Sequence, residues 1–143
     1  MIRQPLSLPS LSVLLIGMSL LALVGCSDTR SSLDGTRWRL TGWTLSSLNP
    51  ADFTITAQFT NGQVAGNSGV NTYSGPYTLG PGDALSIGPL AGTLMAGPDP
   101  AMRAESAYLT LLGQAKSFKL TNGKLTLYDG GGNESLIFEA ASQ

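Results

Sequence analysis

Phe53-Thr54-Ile55-Thr56-Ala57-Gln58-Phe59-Thr60-Asn61-Gly62-Gln63-Val64 is the stretch whose reading decides the fold. Phe53, Ile55, Ala57 and Phe59 alternate with Thr54, Thr56 and Gln58, the period of a strand with one buried face. Asn61-Gly62 then offers the two consecutive positive-φ residues of a two-residue hairpin, so Val64 begins a returning strand. The same pattern extends in both directions. Upstream, Trp38 and Leu40 share one phase and Trp43 and Leu45 the other; the slip at Gly42 marks a bulge or sharp bend. Downstream, Tyr73, Gly75, Tyr77 and Leu79 share a phase, and Pro76 on the opposite phase suggests an edge or irregular strand. Leu85 and Ile87 make a short strand, and Thr93–Met95 another. Phe118 and Leu120 lead into a second hairpin signal at Asn122-Gly123, from which Leu125 and Leu127 return. Asp129–Asn133 reads as a flexible turn, and Leu136 with Phe138 closes the last strand.

One helix interrupts the strands. Asp99 suits an N-cap, Pro100 the first helical position, and Gly113 a C-cap after the run Ala101–Leu112. At helical spacing, Met102, Tyr108, Leu109 and Leu112 fall on one side with Ala101, while Arg103, Ser106 and Thr110 fall opposite. About eight short strands and one helix (about 99–113), with no helix–strand alternation, predict a mainly β fold. The expected form is a small antiparallel, strongly curved sheet or β-barrel with one docked α-helix.

Composition narrows the function. The 143 residues carry 8 Lys+Arg against 9 Asp+Glu, a net charge of −1 and 12% charged residues, where a soluble domain carries roughly 25%. Eight scattered cations cannot build the basic patch that nucleic-acid binding needs. There is no histidine and one cysteine. Histidine triads, histidine metal sites, intrachain disulfides and multi-cysteine metal sites are therefore excluded. The sequence asks for no cofactor and no metal.

The cysteine has an address instead. A cationic start with Arg3 precedes an apolar stretch, Leu11 to Val24, of signal-peptide length and too short to span a bilayer. It ends in Leu23-Val24-Gly25-Cys26, which resembles the lipobox of bacterial lipoproteins: aliphatic, variable, small, then the acylated cysteine. Residues 1–25 are expected to be a signal peptide, 26–32 the lipidated N-terminus and tether, and 33–140 one domain. The partner so implied is a membrane, reached through lipid on Cys26. Ser27 rather than Asp after the cysteine favours the outer membrane, facing the periplasm, in a Gram-negative cell.

Candidate chemistry in the domain is sparse. Gly66-Asn67-Ser68-Gly69-Val70-Asn71 lacks the Gly-Lys-Ser/Thr ending of a phosphate loop and reads as a tight turn. Asp129 to Glu134 lacks calcium-loop spacing and reads as a solvated turn. Glu105 is the informative polar residue, since a carboxylate inside an apolar helical stripe must find donors or take up a proton. It is expected to bond backbone N–H groups, an Asn or Tyr side chain, or an arginine such as Arg37. Trp43, Asn71, Tyr73 and Tyr77 are the candidate ligand-binding residues; no catalytic set is visible.

The order of these motifs resembles the META domain family, HslJ-like, over residues 33–139. Leu33-Asp34-Gly35-Thr36-Arg37-Trp38-Arg39-Leu40 looks like its opening Gly-x-x-Trp-x-Leu strand. Phe59 to Gly66 looks like its Phe-x-x-x-Gly-x-x-x-Gly hairpin. Gly69-Val70-Asn71-Thr72-Tyr73-Ser74-Gly75-Pro76-Tyr77 looks like Gly-Cys-Asn-x-(aromatic)-x-Gly-x-Tyr. Thr93-Leu94-Met95-Ala96-Gly97-Pro98 looks like Thr-x-Met-Ala-Cys-Pro. Glu105-x-x-Tyr108-Leu109-x-x-Leu112 looks like the helix motif, and Leu125-x-Leu127 with Leu136-x-Phe138 the closing hairpin. The resemblance implies a lipocalin-like β-barrel and an association with heat shock, antibiotic tolerance such as to novobiocin, and in some organisms secretion or motility. Members often carry cysteines at the positions of Val70 and Gly97. If those pair as a disulfide in relatives, Val70 and Gly97 lie close in space here.

The expected protein is a lipid-anchored, non-enzymatic, monomeric envelope protein working through binding in stress protection or antibiotic tolerance. Its partner is an envelope protein or a small ligand, not nucleic acid. The alternatives are a small apolar-ligand carrier and a periplasmic protein-binding or inhibitor module using a loop such as Gly66–Asn71.

Overall fold

The computed structural model describes residues 32–44 and 46–142. Cys26, the expected signal peptide, most of the expected tether and Leu45 lie outside the described residues. Nine strands and one helix follow in order: β1 Thr36–Trp43, β2 Thr56–Thr60, β3 Gln63–Asn67, β4 Thr72–Leu79, β5 Leu85–Ile87, β6 Ala91–Gly92, α1 Asp99–Gln114, β7 Ser117–Thr121, β8 Lys124–Tyr128 and β9 Glu134–Ala140. A short 3-10 turn, Pro50–Asp52, precedes β2.

All pairings are antiparallel, in the order β5-β4-β3-β2-β1-β9-β8-β7, with β6 also on β4. The two ends of this path meet. Leu85 N donates to Lys116 O (2.9 Å) and Phe118 N to Asp83 O (3.0 Å), around an Ala84–Ser117 bridge. Apart from the added β6, each strand therefore neighbours the next in sequence, and the sheet is a nearly closed up-and-down barrel. The seam falls where the chain inserts α1.

The two Asn-Gly hairpins form as their chemistry requires. Asn61 and Gly62 have φ 51° and 75°, Asn122 and Gly123 49° and 75°, the paired left-handed residues of a type I′ turn. Gly42 marks a true irregularity, since the β1–β9 register shifts between Leu40 and Gly42.

Several local expectations need correction. The Phe53–Phe59 alternation begins as strand only at Thr56, although Ile55 bridges Ser68. Thr93–Met95 is not a strand; the paired residues are Ala91 and Gly92. Pro76 does not lie on an edge strand, because β4 is paired on both sides. It does sit where the partner changes from β5 to β6, and there its carbonyl accepts from Gly88 N (2.8 Å). Its missing N–H thus falls in a gap of the ladder. The helix is capped by Pro98 with no side-chain bond, and Asp99 is already helical. Gly113 lies inside the helix, which ends at Ala115 in an extended conformation. The buried helical face centres on Ala104, Glu105, Tyr108, Leu111 and Leu112; Met102 and Leu109 stand at its margin.

That face fills the barrel. Tyr108 is fully buried and meets Tyr73 of β4 edge-on at 5.5 Å and Phe138 of β9 at 6.3 Å. In a ring of eight strands, β4 and β9 stand opposite one another, so a single helical side chain reaches both walls. Phe59, Leu40, Ile55, Leu125, Leu127 and Leu136 complete the core.

Candidate functional site

The barrel has two distinct ends. The entering chain, Asn61-Gly62 and Asn122-Gly123 share one: Gly35 N donates to Phe59 O, Asn61 N to Asp34 Oδ1, and Ala140 N to Gly123 O. The Ser68–Asn71 turn and the segment after β6 share the other, where Thr93 N donates to Thr72 O (3.1 Å).

At this second end Glu105 and Asn71 meet. Glu105 Oε2 accepts from Asn71 N (2.7 Å) and Val70 N (3.2 Å), and Oε1 accepts from Asn71 Nδ2 (2.8 Å). The Ser68 hydroxyl lies 2.6 Å from Oε2 and 2.8 Å from Asn71 O. It has one proton to give, and the charged carboxylate is the stronger acceptor. Asn71 O also accepts from Ser68 N (2.8 Å), which closes the turn. Gly69 has φ 123°, and a Cβ there would lie 3.4 Å from Ala101 O and 3.8 Å from Glu105 Cβ. Those are ordinary packing distances, so glycine is required by the conformation and not by the approach of the helix.

Burial acts to raise the Glu105 carboxyl, but the hydrogen bonds from Ser68, the Asn71 side chain, Asn71 N and Val70 N outweigh it. The group is held below its ordinary value and stays charged at neutral pH. Of the partners expected for Glu105, backbone N–H groups and an asparagine side chain are found; Arg37 is not among them.

Asn71 is 4% exposed and uses its whole amide. Oδ1 accepts from Met95 N (2.7 Å) and Thr93 Oγ1 (2.8 Å); Nδ2 donates to Glu105 and to Met95 O (3.1 Å). It stands where a strand's backbone would, which is why Thr93–Met95 is held rigidly without being a strand. One asparagine thus joins the hairpin turn, the helix and the segment after β6.

A second polar chain lies deeper. The Tyr73 and Tyr108 hydroxyls are 2.6 Å apart, and Tyr73 donates to Thr56 O (3.0 Å). Tyr108 is then the donor to Tyr73. Thr56 O has turned out of the ladder to receive this bond, and Asn67 N takes Thr56 Oγ1 instead (3.0 Å). Gly66 permits the turn, because a Cβ there would fall on the Thr56 carbonyl. Burial raises both phenols well above their ordinary values, so both keep their protons.

The remaining candidates are dispersed. Tyr77 lies toward the other end, edge-on to Phe59 at 5.0 Å; burial, then the Asp34 charge, pushes its hydroxyl up. Trp43 is half-buried at the end of β1 and donates Nε1 to Leu48 O (2.7 Å). Trp43, Tyr73 and Tyr77 therefore do not line one groove. Nor is Gly66–Asn71 a free loop, since Ser68 and Asn71 turn inward. Asp129 closes its own turn, accepting from Gly131 N (2.8 Å) and Asn133 N (2.9 Å).

Val70 and Gly97 are neighbours. A Cβ on Gly97 would lie 3.4 Å from Val70 Cβ and 2.7 Å from its Cγ2. Sequence reasoning did not single out Ser68, Thr93 or Met95 as partners of Asn71; the only signal was their place in the quoted motifs.

Comparison with known proteins agrees with this architecture. An NMR structure of a protein from Burkholderia xenovorans matches at 30% identity with a TM-score of 0.64, over 78% of this chain and 85% of that one. A second NMR structure matches at 19% identity and TM-score 0.57, over 75% and 90% of the two chains. A crystal structure of a DUF4847 family protein from Bacteroides vulgatus ATCC 8482 matches at 13% and 0.56, over 78% and 96%. These last two show the fold alone. No curated protein matches the chain. The META domain family model matches residues 31–142. With that span covering the whole barrel and both polar networks inside it, the chain belongs to the META domain family.

Proposed function

We propose that this chain is a lipid-anchored, non-enzymatic envelope protein whose META domain acts by binding, in envelope stress protection or antibiotic tolerance. The observation that carries the proposal is the placement of the sole cysteine. Cys26 ends Leu23-Val24-Gly25-Cys26 behind an apolar stretch, and the domain begins at Leu33 after a short tether. Two features of the domain support binding over chemistry. Glu105 is buried and committed to the Ser68–Asn71 turn, which leaves it no open cleft in which to move a proton. The interior is occupied by Tyr108 from wall to wall, which counts against an apolar-ligand carrier.

The test is Cys26→Ser in the native host. Release of the chain from the membrane fraction and loss of acyl label are expected. The same variant should fail to restore antibiotic or heat tolerance to a deletion strain. An unchanged membrane fraction, or full restoration by the released chain, would overturn the reading.

A further inference from the structure

Leu94 and Met95 are 99% and 57% exposed, yet their backbone is fixed. Met95 N and O both bond the buried Asn71 amide, Thr93 Oγ1 bonds it too, and Glu105 holds that amide from below. A loop with so many buried bonds could turn its apolar side chains inward; this one presents them. Rigid display of apolar groups lowers the ordering cost of binding and is the mark of an anchor residue.

The chain leading to the loop carries almost no charge, and the helix that follows brings Asp99 and Arg103, one of each sign, and Glu105, which is buried and bonded. From Phe53 to Pro98 the only charged residue is Asp83, which lies at the other end, in the turn after β4. Recognition at the loop is therefore apolar, without Coulombic steering.

The position of the chain's entry selects the occupant. Leu33 enters at the Asn61-Gly62 end, and β4 runs from Thr72 beside the loop to Leu79 near that entry. At ~3.4 Å per residue this is a length of about 24 Å. The tether from Cys26 to Leu33 reaches about 25 Å only when fully extended. A bilayer holding the Cys26 lipid is thus tied to the entry end, and the loop stands at the opposite end of the barrel. Resting on that anchor reading, we propose that Leu94 and Met95 form a knob docking into an uncharged apolar socket of another envelope protein, on the side of the domain away from the bilayer.

The experiment uses the full chain in its native host, with a photo-crosslinking benzophenone residue at position 94 and, as control, at position 122. A discrete protein adduct is expected from position 94 and none from 122. Its yield should hold when salt is raised about tenfold. Met95→Ser should cut it by about tenfold with no change in melting temperature. The adducted protein, purified, should bind the purified chain, and Leu94→Ser should weaken that binding by about tenfold. Adducts to phospholipid alone, equal adducts from both positions, loss of yield with salt, or indifference to either substitution would overturn the knob. Fractionation of Cys26→Ser scores the anchor separately: a chain still in the membrane overturns the anchor, while the position-94 adduct and its dependence on Met95 still decide the knob.

Discussion

Asn71 and Glu105 show what a single residue can and cannot reveal. That Glu105 needs donors was legible, because a carboxylate in an apolar stripe has no cheaper alternative. That the donors come from Ser68, Val70 and Asn71, more than thirty residues upstream, was not, since only the closed barrel brings the turn onto the helix. The pH consequence is definite. The Glu105 carboxyl is held below 4.5 in the folded chain, so it contributes stability that is full above that value and is lost as pH falls through the lower, folded one. Thermal melts should show an acid-side decline below about pH 4.5 that Glu105→Gln flattens. At neutral pH the same variant should be less stable by about 1–3 kcal/mol, because its amide faces the N–H donors of the turn. The tyrosine pair makes a sharper test. Tyr108→Phe removes only the outer donor, whereas Tyr73→Phe strands both the Tyr108 hydroxyl and the Thr56 carbonyl. Denaturant titration should show a loss of about 1 kcal/mol for the first and about 2–3 kcal/mol for the second; equal losses would contradict the assigned bond direction.

Among the elements, the hairpins follow from their own two residues, whereas Pro76, the segment after β6 and the helix caps do not follow from local chemistry alone. Asn61-Gly62 and Asn122-Gly123 form their hairpins because the two residues themselves supply the positive φ values. Pro76 suggests an edge or an irregular strand because a proline cannot donate to a ladder, and it is the irregularity, a gap where the partner changes from β5 to β6, that accommodates it. Thr93–Met95 reads as a short strand, but its polar backbone is served by the Asn71 side chain. The helix runs one residue past Gly113 and ends where the buried Ala115 turns extended, its N–H bonding Leu112 O. The segment after β6 also carries a prediction. With Val70 and Gly97 both replaced by cysteine, the Cβ separation near 3.4 Å lies just below the bridging range, and the clash with the valine methyl groups is removed. The oxidised double variant should be more stable than its reduced form by about 2–4 kcal/mol, read as a difference in melting temperature with and without reductant. Failure to oxidise would place the two positions wrongly.

For the whole molecule, the period-2 pattern and the low charge sufficed for a curved antiparallel sheet with one helix, and the family resemblance for a barrel. The seam was beyond reach of the sequence, because the Ala84–Ser117 bridge has no motif and exists only once the six other strands of the ring are in place. That closure governs folding. β1 must find β9, with Trp43 opposite Leu136, before the sheet can close, and such distant pairings are slow to form. Stopped-flow refolding followed by Trp38 and Trp43 fluorescence should be in the millisecond-to-second range; a microsecond phase carrying the full amplitude would contradict the nonlocal closure. The pairing of β1 with both β2 and β9 also sets the two chain ends of the domain side by side, Ala141 N donating to Arg37 O at 3.0 Å. In effect the barrel is written on a circle. Joining the ends through a few glycines and cutting at Asn122-Gly123 would reorder the text without changing a ladder, so the point at which the domain starts is not dictated by its fold.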